Sequence, residues 1–237
     1  MNAMPKIAMV LAAGLGLRMR AVSATLPKPL IPVGGKALID RTLDRLRDSR
    51  IERAVVNLHY QGAAIRSHLA GRTAPVIVYS DESDRLLETG GGVAKALPHL
   101  GGDACFVVNS DIIWRDAQGD SLAELALRFD AAAMDALLLL QPTVGAIGYA
   151  GAGDFLLCPE GQVQRRDERE VAPFVFTGVQ ILHPRLFANC PPGAFSLNLL
   201  YDRAIAAGRL YGLRHQGDWM DVGTPDGLKA AEAALSG

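Results

Sequence analysis

Residues Lys6–Arg20 read KIAMVLAAGLGLRMR, an apolar run of strand length that breaks into glycines and then into arginines. Lys6–Leu11 predicts a first strand, and Gly14 and Gly16 mark the loop that leaves it. Glycines let backbone amides approach a phosphate closely, and Arg18 and Arg20 add positive charge beside them. A dinucleotide-binding loop would need G-x-G-x-x-G, but Met19 stands at the last of those positions, and no acidic residue follows at the end of a second strand. A P-loop would need Gly-Lys-Ser or Gly-Lys-Thr, which is absent. Taken alone, the segment also fits an ordinary turn from strand to loop.

Outward from this stretch, short β-branched runs alternate with amphipathic ones, the pattern of βαβ units around a parallel sheet. Leu38, Ile39, Leu43 and Leu46 mark one helix face; Ala54–Leu58 is a second strand, 62–69 a helix and 76–79 a third strand. A helix is expected after Gly92, then a strand over Cys105–Asn109. Ser121 and Glu124 have capping-box spacing ahead of another helix, and 136–140 is again strand-like. From residue 150 the pattern turns antiparallel, with a central strand over 174–182, a helix over 197–207 stopped by Gly208, a strand over 219–222, and Thr224-Pro225 opening a last helix. The expected class is α/β, a Rossmann-like mixed, mostly parallel sheet flanked by helices, with a small antiparallel subregion. No linker or repeat divides the chain, so residues 1–237 are read as one domain.

With 237 residues, 49% hydrophobic and 21% charged, the chain has material for a large core, and disorder is excluded. A net charge of -1 argues against a dedicated nucleic-acid or membrane-surface binder. The balance is uneven, because residues 1–53 hold 10 Lys or Arg against 4 Asp or Glu. That basic surplus suits an anionic ligand. The 3 cysteines, Cys105, Cys158 and Cys190, lack any paired spacing, which fits a reducing, cytoplasmic compartment. The apolar run Ile7–Ala13 is short for a signal peptide, and no stretch approaches the roughly 18 apolar residues of a membrane span.

Further stretches carry chemistry. Lys28 lies between Pro27 and Pro29, which restrict the backbone around a mobile cation; a solvated lysine is the alternative. LLETGGG, Leu86–Gly92, places three consecutive glycines where close backbone approach or a plain turn is implied. Asp111 ends the apolar run CFVVNS at the sheet edge where α/β proteins place ligands, and Asp221 repeats the arrangement after Trp219-Met220. Two such carboxylates suit magnesium, which takes one or two carboxylates together with phosphate oxygens and water. Either aspartate by itself also fits a cap or turn. The five histidines are far apart and show no metal-ligand spacing.

LAAGLGLRM, PKPL, NSD and WMDVG, in this order, resemble the motifs of the sugar-1-phosphate nucleotidyltransferases, which join a nucleoside triphosphate to a sugar phosphate and release pyrophosphate. LLETGGG, VVNLHY (55–60) and GDF (153–155) make the chain most similar to the short N-acetylmuramate α-1-phosphate uridylyltransferases of cell-wall recycling within that family. The resemblance implies that Leu11, Ala12, Ala13, Gly14 and Gly16 form the nucleotide loop, that Arg18 meets the departing pyrophosphate and Lys28 the reacting phosphates, and that Asp111 and Asp221 share a magnesium ion. Glu88, Thr89, Gly90 and Asp154 are its candidates for base or sugar contacts, with Asn109 beside the metal and Asn198, in FSLNLL, near the sugar. Residues from about 6 to 150 would form the nucleotide half, and 151–237 the sugar half with the second metal aspartate. UTP and N-acetylmuramate 1-phosphate are the expected substrates, with a mannose-1-phosphate guanylyltransferase as the alternative and a noncatalytic sugar-nucleotide sensor as the rival class. Two departures stand out: Glu88 where the family more often has glycine, and Ser110 in place of the glycine of N-G-D.

Overall fold

Strand β1 (Ile7–Leu11) lies between β4 (Arg53–Leu58) and β6 (Cys105–Asn109), parallel to both, and β5 (Val76–Asp81) continues the parallel run beyond β4. The computed structural model describes residues 4–19, 22 and 25–236, so Arg20 lies outside the described residues. In chain order the remaining elements are β2 (Pro32–Val33), β3 (Lys36–Ala37), α1 (Leu38–Asp48), α2 (Gly62–Leu69), α3 (Glu88–Ala96), β7 (Ile112–Asp116), α4 (Ser121–Arg128), β8 (Ala136–Pro142), β9 (Ala146–Ile147), β10 (Phe155–Leu157), β11 (Val163–Arg165), β12 (Phe174–Leu182), α5 (Leu197–Ala206), β13 (Leu210–Arg214), β14 (Gly217–Asp221) and α6 (Pro225–Ser236).

The main sheet runs β11-β10-β12-β6-β1-β4-β5, with β8 on β12 and β13 on β8. It is mixed, parallel from β6 to β5 and antiparallel around β12, as the change of pattern near residue 150 implies. Alternate residues of each strand serve opposite faces. Ala8 and Val10 pack with Ile39 and Leu43 of α1, Ile65 of α2 and Leu122 of α4, while Met9 and Val55 pack with Val93 of α3 and Leu200 of α5. The sheet is therefore covered by helices on both sides, and its apolar strands read as continuous hydrophobic runs.

A second sheet, β7-β14-β9, changes how the aspartates are placed. Asp221 was expected at the end of a buried parallel strand, as Asp111 is. The strand is buried and pairs parallel with the short β9, but on its other edge it pairs antiparallel with β7, a strand with no expected counterpart because Ser110-Asp111 interrupts its apolar run. This sheet has its own core of Ile113, Met220 and Val222 with Leu228 of α6, into which Met19 of the glycine loop is also inserted. The two sheets are joined at a bulge in β12, where the Trp219 indole donates to the Thr177 carbonyl (2.8 Å) and the register shifts between Phe176 and Gln180.

Two local expectations are corrected. The helix cap is Asp120, which accepts from the Leu122 amide (3.0 Å), whereas Ser121 accepts from the Trp114 indole (3.2 Å). The three glycines do not precede their helix; they lie inside α3. The close approach that they allow is to the chain itself. A Cβ on Gly91 would stand 2.2 Å from the Gly193 carbonyl oxygen, and one on Gly90 2.3 Å from the Phe195 ring. Gly to Ala inside a helix ordinarily gains about 1 kcal/mol. Here the obstacle is backbone, so Gly91→Ala is expected to lose about 2 kcal/mol or more, read as a fall in the denaturant midpoint at unchanged m value.

Candidate active site

The carboxyl ends of β1, β4 and β6 open onto a cleft of about 390 Å³, where a parallel sheet presents its ligand edge. Leu11, Ala12, Ala13 and Gly14 form its floor, Lys28 and Pro29 one wall, Glu88 and Thr89 another, and Asn109, Ser110 and Asp111 the end of β6. Nine of the residues expected from sequence, Leu11 to Gly14, Lys28, Glu88, Thr89, Asn109 and Asp111, are thereby brought together. Ser110 fastens the end of β6 to the loop, with both its amide (3.2 Å) and its hydroxyl (2.7 Å) donating to the Leu11 carbonyl. That second bond is a contribution that a glycine at this position would lack.

Lys28 is held between the buried rings of Pro27 and Pro29, with Gly16 against its Cβ, and its side chain is 10% exposed. Its ammonium donates to Asp111 Oδ2 at 2.6 Å. Cation and carboxylate therefore neutralise each other in the free cleft. Asp221 pairs in register with Ile112, the residue after Asp111, so it lies opposite the strand that begins directly after the Ser110-Asp111 turn. The Gly223 amide donates to Asp221 Oδ1 (2.8 Å). A Cβ on Gly223 would meet both Asp221 Oδ1, at 2.7 Å, and the Arg18 guanidinium, at 3.4 Å, so Arg18 stands beside this second carboxylate. Among the described residues no three His, Cys, Asp or Glu side chains gather as a metal site. Two carboxylates are nevertheless a sufficient protein contribution for a hard divalent cation whose other ligands are phosphate oxygens and water.

The remaining expected residues are placed differently. Gly90 is buried, and its amide donates to the Phe195 carbonyl (2.8 Å) rather than into the cleft. Thr89 lines the cleft, yet its hydroxyl accepts from the Leu197 amide (2.9 Å) and so caps the start of α5. Asp154 accepts from the Phe176 amide (2.8 Å). Burial, then the Asp154 carboxylate, and also Asp221, push the Tyr149 hydroxyl above the usual tyrosine range. Asn198 is exposed outside the cleft lining, with its side-chain carbonyl accepting from Arg165 (2.9 Å).

The domain model for MobA-like NTP transferases matches residues 8–143. An N-acetylmuramate alpha-1-phosphate uridylyltransferase of Caulobacter vibrioides is 45% identical over 240 residues, covering 100% of this chain and 99% of the relative. The chain belongs to the sugar-1-phosphate nucleotidyltransferases. A second N-acetylmuramate alpha-1-phosphate uridylyltransferase, from Neisseria meningitidis, is 35% identical with 95% and 96% of the two chains covered. A UDP-glucose pyrophosphorylase solved with UDP-glucose shares the fold, with a TM-score of 0.80 at 16% identity over 98% of this chain and 99% of that one.

Two nucleotidyltransferase cleft features escaped the sequence reading. Asn57 lines the cleft from within a buried strand, and its sequence marks are its place in VVNLHY and a polar residue inside the apolar run AVVNL. Behind it Glu82 is fully buried, and burial pushes its carboxyl above the usual glutamate range against the pull of hydrogen bonds from Asn57 and Leu87. Nothing in SDESD distinguishes it. Glu88 is exposed in the cleft at φ +59°, the left-handed region where a side chain costs about 1 kcal/mol, which accounts for the family's more frequent glycine. Glu88→Gly is therefore expected to leave the melting temperature unchanged or raise it by a few degrees, while the KM for substrate rises. A melting curve and a KM measured on the same preparation check both halves.

Proposed function

We propose that the protein is a uridylyltransferase acting on N-acetylmuramate 1-phosphate, forming UDP-N-acetylmuramate and pyrophosphate in cytoplasmic cell-wall sugar recycling. The observation that carries the reading is the Lys28–Asp111 pair in a cleft floored by the amide-rich loop Leu11–Gly14, with Asp221 and Arg18 side by side at the end of the strand paired to the one that follows Asp111. The full-length likeness to two relatives of that name supports the substrate. Among the described residues no helix is long and apolar enough to cross a membrane.

Both substrates are polyanions, and their mutual repulsion is the main barrier to their meeting. An oxygen of the sugar phosphate attacks the α-phosphorus in line; a new P–O bond forms as the bond to the β-phosphate oxygen breaks, and pyrophosphate leaves with the electron pair. Lys28 exchanges Asp111 for the phosphates, and Arg18 takes the departing pyrophosphate. Asp111 and Asp221 would hold a magnesium ion, which supplies charge neutralisation of the phosphates when bound. Orientation by the loop and these charges does the work, with no covalent intermediate on the protein. Glu88 offers a carboxylate to hydroxyl or N–H donors of the substrates. A noncatalytic sensor would be expected to have lost one of the four charged residues, and all four are present.

Asp111→Ala should lower turnover by about a hundredfold or more, the usual effect of removing an electrostatic contact to reacting phosphates. Pyrophosphate release measured with four nucleoside triphosphates against muramate, glucosamine, glucose and mannose 1-phosphates should peak at UTP with N-acetylmuramate 1-phosphate. A maximum at GTP with mannose 1-phosphate would replace this reading by the guanylyltransferase one. Binding of UDP-sugar without any turnover would favour the sensor.

A further inference from the structure

Asn57 and Glu82 form a buried chain of hydrogen bonds that reaches two walls of the cleft. The Ala12 amide donates to Asn57 Oδ1 (2.7 Å), the Asn57 amide group donates to Glu82 Oε1 (2.8 Å), and the Leu87 amide donates to Glu82 Oε2 (3.3 Å). Ala12 belongs to the loop on the cleft floor, and Leu87 immediately precedes Glu88 on its wall. Both side chains are buried, at 2% and 0% exposure, so water does not replace any of these partners. A Cβ on Gly92 would come within 2.9 Å of Glu82 Oε1 and 3.0 Å of Asn57 Nδ2, so the α3 glycine makes room for the pair. A carboxylate with no exposure is costly to keep unless each oxygen has a donor, and here each has one.

We propose that Asn57 and Glu82 act as positioning residues for the nucleoside triphosphate: one buried amide–carboxylate pair sets the spacing between the Leu11–Gly14 loop and the Leu87–Thr89 turn. Neither residue touches the reacting atoms. The inference rests on the cleft being the nucleotide site, as proposed above, and adds that its two walls are aligned through a shared polar pair. A buried network of this kind has one arrangement in which every donor meets an acceptor, which is what ties two loops to one geometry. It also predicts which substrate is affected. One of the two segments is the Leu11–Gly14 loop assigned above to the nucleotide, so loss of alignment is expected to fall on the nucleotide.

The polarity of the pair can be reversed. Asn57→Asp sets a carboxylate against Glu82, and the two remain bridged only while they share a proton. Adding Glu82→Gln restores all three bonds with the roles exchanged: the Ala12 amide to Asp, the new Gln amide group to Asp, and the Leu87 amide to the Gln carbonyl. The titratable and charged groups beside the pair are His59, whose ring Nδ1 contacts the Glu82 carbonyl (2.7 Å), and Lys95 on α3; wild type carries both and is the control. For Asn57→Asp the expected result is a KM for the nucleoside triphosphate that climbs about tenfold or more between pH 6 and pH 9, roughly 1.4 kcal/mol, with the KM for sugar phosphate within about twofold of wild type. The doubly substituted protein is expected to return to the pH profile of wild type. Hydrogen exchange of the Ala12 and Leu87 amides should lose protection in Asn57→Asp at high pH and regain it in the reversed pair. Unchanged nucleotide KM in the single variant, or a reversed pair that melts like wild type yet keeps the raised KM, overturns the proposal. If wild type turns over no substrate pair, the nucleotide reading fails by itself, and amide exchange still decides whether the pair aligns the two walls.

Discussion

The pairing of β14 with β7 in the register that sets Asp221 opposite Ile112 is the constraint on which the site depends. Asp111 is fixed by its position at the end of β6, in the middle of the main sheet. Asp221 arrives from a separate small sheet more than a hundred residues later in the chain, and a slip of one residue would turn its carboxylate to the opposite face. Trp219 resists that slip. Its indole is buried and bonded to the Thr177 carbonyl in the β12 bulge, so a shifted register would strand a donor in the core. Met19 adds a second tie, since it anchors the glycine loop in the same small core that holds β14.

Charge explains why the free cleft is organised as it is. The proposed site for two polyanions and a cation would need both signs within a few ångströms, and without substrate each must be compensated. Lys28 and Asp111 satisfy one another, with the lysine stem buried between prolines so that its ammonium has little freedom to leave except toward a competing anion. Such partly exposed pairs add little to stability, and under the proposed function this one exchanges partners on binding. The left-handed Glu88 fits the same pattern, a small local strain retained in a cleft wall.

The glycines show how a motif can be read correctly as close approach and yet assigned to the wrong neighbour. Gly90 and Gly91 admit the Gly193–Phe195 segment, and Gly92 admits the Asn57–Glu82 pair. The cleft wall is thus built from three contacts internal to the chain, and the amide of Gly90 is already used within the fold.

Much was legible in the sequence because it is local: strand and helix periodicity, the change to antiparallel pattern near residue 150, the amide-rich loop after β1, and the ordered charged motifs. These follow from side-chain spacing along a few residues, which the chain carries whether or not it is folded. The small sheet, the antiparallel pairing of β14 with β7, the role of the three glycines and the buried Glu82 were not legible. Each depends on which distant backbone lies alongside, as Gly193 does beside Gly91 and Leu87 beside Glu82, and residue type alone does not specify a partner. The sequence by itself determined the fold class and supplied the charged groups for a polyanion site. Only the tertiary structure decided that Asp221 would lie opposite Ile112, one residue beyond Asp111, and that Asn57 would hold the Ala12 amide, because those are register and packing outcomes set by the whole core.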